Sequence, residues 1–565
     1  MSILFKPNGN LDVSTAATDL PAQFEGRNVI SEALQRAKNV TLNRQGRRDT
    51  RNGSTRAHAT ALTARPNFIL EQAGERYTFV DSAIYKDEAE LTTSGLTDGD
   101  WSAISYNSFN ETTQSVFALN GTDRKRIDSS GNVREWGIEP ADAAPTVAVG
   151  ASTGLTGTYK AKTTYARLSG STVLSESNPS DASAGQALTN EDLKVTWVAS
   201  SDPQVTHVRI YRTLAGGDIY YFDQSVAIGT LTVDTSTTDA ALGTEVATNH
   251  DRPPVGSLVA GPFYGGTCFI IKGNLLYWCL AKQPEYWPAL NFIEVGPPSR
   301  ATKALVDVGG QLHCATQSQL WFIQGTGAGT FNALPLRSLA GAPNQHGAVG
   351  IEGRGIYHIG GDGIYLYAGG RDTKISERNF QVLFDESAAP VNGIQPVGGW
   401  PVATQWLHAF RNEVYFHWGI GNVLVLNVDT KKTVYHRYDQ QLFAPATDHT
   451  NTRFYVGDAG RFVRRVEDPD ATTDAGTTID CEAESMDFTL QTRRHFPRWA
   501  KYDFNGSAAT SPKGEIILDG VVHQTHTLAG NRKTNRRLID TGNARRCSIR
   551  VSWTGAGTLY AAEME

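Results

Sequence analysis

The side chains best suited to chemistry in this chain of 565 residues are a run of basic groups near its start. Arg36, Lys38, Arg44, Arg47, Arg48, Arg51 and Arg56 crowd positive charge into one short stretch. Guanidinium forks pair with carboxylates and phosphates. Nucleic-acid phosphates are one target, but no aromatic residue lies among these arginines to stack a base. A solvated arm and a docking site for an acidic partner are the remaining readings. For docking, Arg44, Arg47, Arg48 and Arg51 are the candidate contact residues. A second basic stretch (Arg532-Lys533, Arg536-Arg537, Arg545-Arg546) carries the same ambiguity.

Other reactive groups point away from catalysis. The acidic segment Glu467-Asp468-Pro469-Asp470-Ala471-Thr472-Thr473-Asp474 has oxygens for calcium but no glycine-centred loop spacing, so it reads as a solvated linker. The histidines are dispersed, and His313, His358 and His417 sit within apolar strand patterns where core or sheet-face histidines belong. Cys268, Cys279, Cys314, Cys481 and Cys547 form no C-x-x-C pair, which argues for free, mostly buried thiols in a reducing compartment. Nucleophile elbow, Walker loop and H-E-x-x-H motifs are missing, as are Asp boxes, kelch spacing and W-D endings. No catalytic residue, metal or cofactor is expected, and the chain reads as a non-enzyme.

Composition sets the frame for these groups. Fifty-five glycines against three methionines, with 22 Phe, 20 Tyr and 11 Trp, favour turn-rich β structure. A net charge of −6 gives no global case for nucleic-acid binding. The start, Met1-Ser2-Ile3-Leu4-Phe5-Lys6-Pro7, does not resemble a signal peptide, and no apolar run is long enough to span a bilayer as a helix.

An aromatic strand pair recurs through the chain. It appears as Gly273-Asn274-Leu275-Leu276-Tyr277-Trp278, as Gly355-Ile356-Tyr357-His358-Ile359 before Gly363-Ile364-Tyr365-Leu366-Tyr367, and as Val414-Tyr415-Phe416-His417-Trp418. Intervals of roughly 40–50 residues are those of propeller blades. The expected fold is all-β: a β-propeller of about 6–8 blades with an inserted sandwich and a β-rich end. Residues 1–60 read as an irregular arm and hairpin, with a short helix over Ser31 to Lys38 suggested by Leu34 and Ala37. Residues 61–139 supply about two blades. Residues 140–250 turn Ala/Thr/Ser/Gly-rich, with the alternating strands 157–167 and 207–212, and read as an immunoglobulin- or fibronectin-like sandwich. Residues 251–475 supply about five more blades. Residues 476–565 either close the propeller or form a small sandwich.

Several passages together resemble a known family. They are Ala33-Leu34-Gln35-Arg36-Ala37-Lys38-Asn39-Val40 with Gly46 and Arg51-Asn52-Gly53, the strand pair from Gln311 to Gly325, and the run from His346-Gly347-Ala348-Val349 to Lys374-Ile375-Ser376. The Glu285-Tyr286-Trp287-Pro288 turn and the embedded sandwich add to them. Their order is similar to that in the tail nozzle (tail tubular or hub) proteins of short-tailed bacteriophages. The resemblance implies a structural virion protein, made in the host cytoplasm, that forms a ring, expected to be a hexamer. It implies contact with the portal adaptor, for which the four arginines are the candidates, and with tail fibres or a tip protein. Genomic DNA would pass along the ring's axis, without sequence-specific binding, and not through the propeller's own centre. The rival reading is a carbohydrate-binding or glycan-hydrolysing propeller.

Overall fold

The computed structural model describes residues 2–7, 10–13, 22–25, 28–31, 33–42, 47–92, 95–108, 110–327, 329–377, 379–489, 498–506, 511–530, 535–540 and 544–564. Nearly all regular structure in them is β-strand.

The described residues form seven four-stranded antiparallel blades. Blades 1 to 6 cover 66–92, 102–135, 258–294, 302–335, 348–374 and 406–437. Blade 7 takes three strands from 442–468 and its fourth from Gly53–Arg56, where Arg56 pairs with Arg464 and Gly53 with Asp468. First strands of successive blades lie side by side, and that of blade 7 lies against Pro66–Gln72 of blade 1, so the ring closes. Two blades before the insertion and five after it agree with the pattern read from the sequence.

Blade 5 shows how sequence builds a blade. Gly355–Gly360 and Gly363–Tyr367 pair through a two-residue turn, which places Tyr357 opposite Leu366. Gly355 adopts a φ of +116°, and a Cβ there would sit 2.1 Å from the Tyr367 carbonyl oxygen, so no other residue fits. Between blades the aromatics interlock. Trp101 is fully buried against Phe79 and donates to the Val80 carbonyl at 3.1 Å. Burying a side chain such as Phe79 or Phe117 contributes about 1.5–3 kcal/mol each.

The insertion is a sandwich. Ala161–Ser169 pairs with Thr172–Glu176 and His207–Thr213, and Tyr220–Ala227 completes that sheet. Opposite it stand Thr146–Val149, Leu193–Thr196 and Thr232–Thr235, with the pair Leu155–Tyr159 and Gln186–Glu191. Tyr165, Leu188, Val195, Trp197, Val208 and Ile210 fill the space between.

The start of the chain differs from expectation, and its end takes one of the two courses expected of it. The helix over Ser31 to Lys38 is absent: Asn28–Ser31 and Leu34–Lys38 are strands. Leu34–Lys38 lies between Thr433–Arg437 of blade 6 and Asp480–Ser485. Gln35 is also buried there, bonded to Glu484 and Asp487, so a polar residue occupies an inward position and the apolar spacing misleads. The described residues of 1–60 are therefore not an irregular arm, and Val40–Leu42 and Arg48–Thr50 form the expected hairpin. Of the two expected courses for residues 476–565 the sandwich holds, and ring closure falls to Gly53–Arg56. They build this second sandwich with the N-terminal strands. One of its sheets continues blade 6 through Leu34–Lys38, Asp480–Ser485, Arg546–Thr554, Lys513–Leu518 and Val521–Thr527. The other joins Ser2–Phe5, Gly557–Met564 and Trp499–Gly506. Phe5, Tyr502, Phe504, Val551, Trp553 and Leu559 pack between them.

Candidate functional site

The basic cluster near the start is largely structural. Arg44 lies outside the described residues. Arg47 lays its guanidinium over the Tyr560 ring at 4.3 Å. Arg48 is fully buried, with Nε donating to the Pro7 carbonyl at 2.7 Å, and burial pushes its pKa down to about 9. Arg51 is buried between the Tyr438 ring at 4.1 Å and the Asp474 carboxylate, to which both terminal nitrogens donate. Docking by Arg48 and Arg51 is thus corrected: pairing inside the fold withdraws both from the surface, Arg48 within the terminal sandwich and Arg51 beside the strand that closes blade 7. Arg36 is engaged by Glu482 and Glu484, and Arg56 lies over Phe462.

The acidic stretch is not a solvated linker. Glu467, Asp468 and Asp474 are buried. Glu467 accepts from Tyr438 Oη at 2.8 Å and contacts His436 Nδ1 at 3.2 Å. Among the described residues no group of three or more His, Cys, Asp or Glu is placed to hold a metal. His358 and His417 are core residues: His358 bridges the Gly341 carbonyl and Asp372, while His417 stacks on Trp406. His313 is half-buried on its sheet face, and all five cysteines are free and buried.

Two arrangements stand out that the sequence reading did not assemble. The first is a clamp between the sandwich and the propeller. Glu111 (from the loop between the first two strands of blade 2), Arg126 (blade 2), Arg167 (sandwich) and Glu285 (the Glu-Tyr-Trp-Pro turn of blade 3) meet in the interior. Arg126 donates to Glu111 at 2.7 Å, and Arg167 donates to Glu285 at 2.5 Å and contacts Glu111 at 3.1 Å. Arg126 lies 3.4 Å from Glu285. The turn holding Glu285 is fixed by Trp287 and Trp136, whose indoles both donate to the Pro284 carbonyl. Arg252 grips Glu135 and Glu139 at 2.6 Å, and His250 stacks on Tyr286 at 3.8 Å. Two arginines and two glutamates balance one another, and such a cluster is costly to unbalance once it leaves water.

The second is a cavity of about 670 Å³ on the propeller axis, where the innermost strands begin. All seven blades line it, through Asn67, Asp100, Leu258, Thr302, His346, Trp406 and Phe443 among others. Burial pushes His346 down to about 4, so its ring is neutral near pH 7.

No family model matches the sequence, and no curated protein matches it. Among solved structures, the chain is similar to BamB from Moraxella catarrhalis (10% identity, TM-score 0.35, covering 74% of this chain and 98% of that one). It is also similar to the computationally designed Ika8 protein (9% identity, TM-score 0.34, 73% and 99%). A third is glutaminyl cyclase from Myxococcus xanthus (14% identity, TM-score 0.21, 36% and 87%). Likeness at this level carries no functional argument, and the propeller is read from the sheet topology itself.

Proposed function

We propose that the chain is a structural subunit of the tail of a short-tailed bacteriophage, the nozzle that extends the DNA path below the portal and its adaptor. The observation that carries the reading is the buried clamp of Glu111, Arg126, Arg167 and Glu285. Its charged groups fix one β body against another, and the same holds for Arg51 with Asp474 at the ring's closure. That use of charge suits a wall unit of constant shape. The passages that resemble nozzle proteins fall on blades 4 and 5, on the clamp turn of blade 3, and on the strand joining blade 6 to the terminal sandwich. Six copies, each at −6, would carry −36. Walls that are acidic on balance repel phosphates and leave DNA free to move, whereas strong phosphate binding would arrest it.

Negative-stain imaging of the purified chain, alone and mixed with an adaptor ring, tests this. Rings with an axial channel, free or on the adaptor, are the expected result. A chain that remains monomeric in both conditions overturns the reading.

A further inference from the structure

The two sandwiches flank the propeller on opposite sides. The inserted one is clamped at the junction of blades 2 and 3 through Glu111, Arg126, Arg167 and Glu285. The terminal one continues blade 6. In a ring of seven, blade 6 stands three blades beyond blade 3 and three before blade 2, diametrically opposite that junction. We propose that the chain associates head to tail with a second copy of itself. The outer edge of one copy's terminal sandwich meets the three-stranded sheet of the next copy's inserted sandwich. This contact would build the ring of the nozzle reading, and it rests on that reading only for the closure of the ring.

Charge selects the partner. The segments 1–50 and 476–565, which build the terminal sandwich, carry 19 basic and 15 acidic side chains, a net of +4. Residues 140–250 carry 6 basic and 11 acidic ones, a net of −5. Unlike ends attract and like ends repel, which disfavours a two-fold contact that sets one patch against itself. A contact between two different patches leaves each pair of copies with one free end of each kind, so it repeats.

Both ends expose apolar surface. The sheet continuing blade 6 runs outward to Val521–Thr527, which has a strand partner on one side only among the described residues. The other sheet of that sandwich ends at Asn535–Leu538. Gln524 ties the two ends together, donating to the Leu538 carbonyl at 3.3 Å and accepting from Asp540 N–H at 2.9 Å. Val521 is 70% and Leu538 57% exposed, and Val522 is exposed between neighbours of the same edge. Arg536 and Arg537, held by the Trp499 ring at 4.4 Å and the Thr527 carbonyl at 3.0 Å, precede Leu538. Arg545, exposed, is tied through its backbone to Asp519 at the turn before Val521.

On the inserted sandwich, Thr146–Val149 and Thr232–Thr235 flank Leu193–Thr196, and each has a strand partner on one side only among the described residues. Trp197 N–H donates to the Leu231 carbonyl at 3.1 Å, which brings Val198 and Leu231 together at one end of this sheet. Val198 is 60% exposed, and Leu231 and Val149 are exposed with it. Thr146, Ala148, Thr196 and Thr232 point outward and are short, so the face is flat enough to receive the edge of another β body.

Sedimentation velocity of the purified full chain, with no other component, tests this. The native chain should associate, and its affinity should rise about ten-fold or more as salt falls from about 1 M to about 0.05 M. Val521→Asp/Leu538→Asp blocks one end and Val198→Asp/Leu231→Asp the other, all at exposed positions where folding tolerates the change. Each variant alone should remain monomeric. Their equimolar mixture should form pairs and stop there, because each pair keeps one intact contact and has none to extend it. Arg537→Glu/Arg545→Glu, which leaves the apolar edge untouched, should weaken association about ten-fold or more and flatten its salt dependence, and it serves as a second block should the first fold poorly. A native chain that stays monomeric at low salt overturns the contact. So does association of either Asp variant alone at native strength, or a mixture that forms no pairs. Rings on an adaptor formed equally by both Asp variants would refute this contact and leave the nozzle reading standing, whereas association of the native chain without rings on the adaptor would do the reverse.

Discussion

Replacing Glu285 by alanine is the sharpest perturbation of the clamp. It would leave Arg126 and Arg167, with side chains 6% and 11% exposed, sharing the single carboxylate of Glu111. Breaking a buried pair by removing one partner costs about 3–5 kcal/mol, because the other charge stays behind in the interior. If that energy falls on the docking of the sandwich, the undocked population rises by about two to three and a half orders of magnitude, at 1.4 kcal/mol per tenfold. Hydrogen exchange reads this directly at the junction. Trp287 N–H of blade 3 is bonded to the Asp251 carbonyl at 2.9 Å and His250 N–H to Asn178 Oδ1 of the sandwich at 2.8 Å, so separating the two bodies opens one of these bonds, whichever body residues 250 and 251 follow. Exchange at one of the two amides should accelerate by at least a hundredfold, while Glu294→Ala, at an exposed position of the same blade, leaves both unchanged. Arg167→Met combined with Glu285→Met removes one charge of each sign and should recover most of the loss, so the two changes are not additive. Acceleration below tenfold in Glu285→Ala would mean that the cluster behaves like a surface ion pair, worth about 0–1 kcal/mol, and the clamp argument would fail.

Three further outcomes follow from the same interior. Arg51→Met strands Asp474 beside Tyr438 and should destabilise the closure of blade 7 by about 3–5 kcal/mol, seen as faster exchange at Ala57 N–H, which bonds to the Val463 carbonyl. Burial, offset in part by Arg76 and reinforced by Asp448, raises Glu71 from 4.5 to about 7. Between those pH values the unfolded chain releases a proton that the fold retains, so stability falls as pH rises and levels off above 7. Glu71→Gln should remove that slope and raise the melting temperature above pH 7, with no effect below pH 4.5, as melting curves across the range will show. Burial also pushes the Cys481 and Cys547 thiols up to about 12 and Cys314 further still, so a thiol reagent should find almost none reactive in the native chain and five in denaturant.

The blade hairpins and the position of the insertion were legible because both are local, whereas the count of seven depends on a strand borrowed from Gly53–Arg56. A hairpin such as Gly355–Gly360 with Gly363–Tyr367 carries its turn glycines and alternating aromatics within a dozen or so residues, and the change of texture near Pro140 is a matter of composition. Pairings between distant segments leave no such trace. Nothing near Gly53 announces that it will pair with Asp468, nor does Leu34 announce a partner at Ser485. The apparent helix arose from this gap, since a strand hydrogen-bonded on both edges can bury Gln35 against Glu484 and lose its visible alternation.

The arginines make the same point with more force. Clustered charge in sequence reads as a surface because an isolated guanidinium prefers water, and for Arg48 and Arg51 that inference fails. What reverses it is the partner set: the Pro7 carbonyl for Arg48, and Asp474, the Arg437 carbonyl and the Tyr438 ring for Arg51. Even Pro7 stands 41 residues from Arg48. Arg126, Arg167, Glu111 and Glu285 follow the same logic, with each charge made tolerable by groups from another blade or from the sandwich. Charge near this chain's start therefore reports on assembly of the interior.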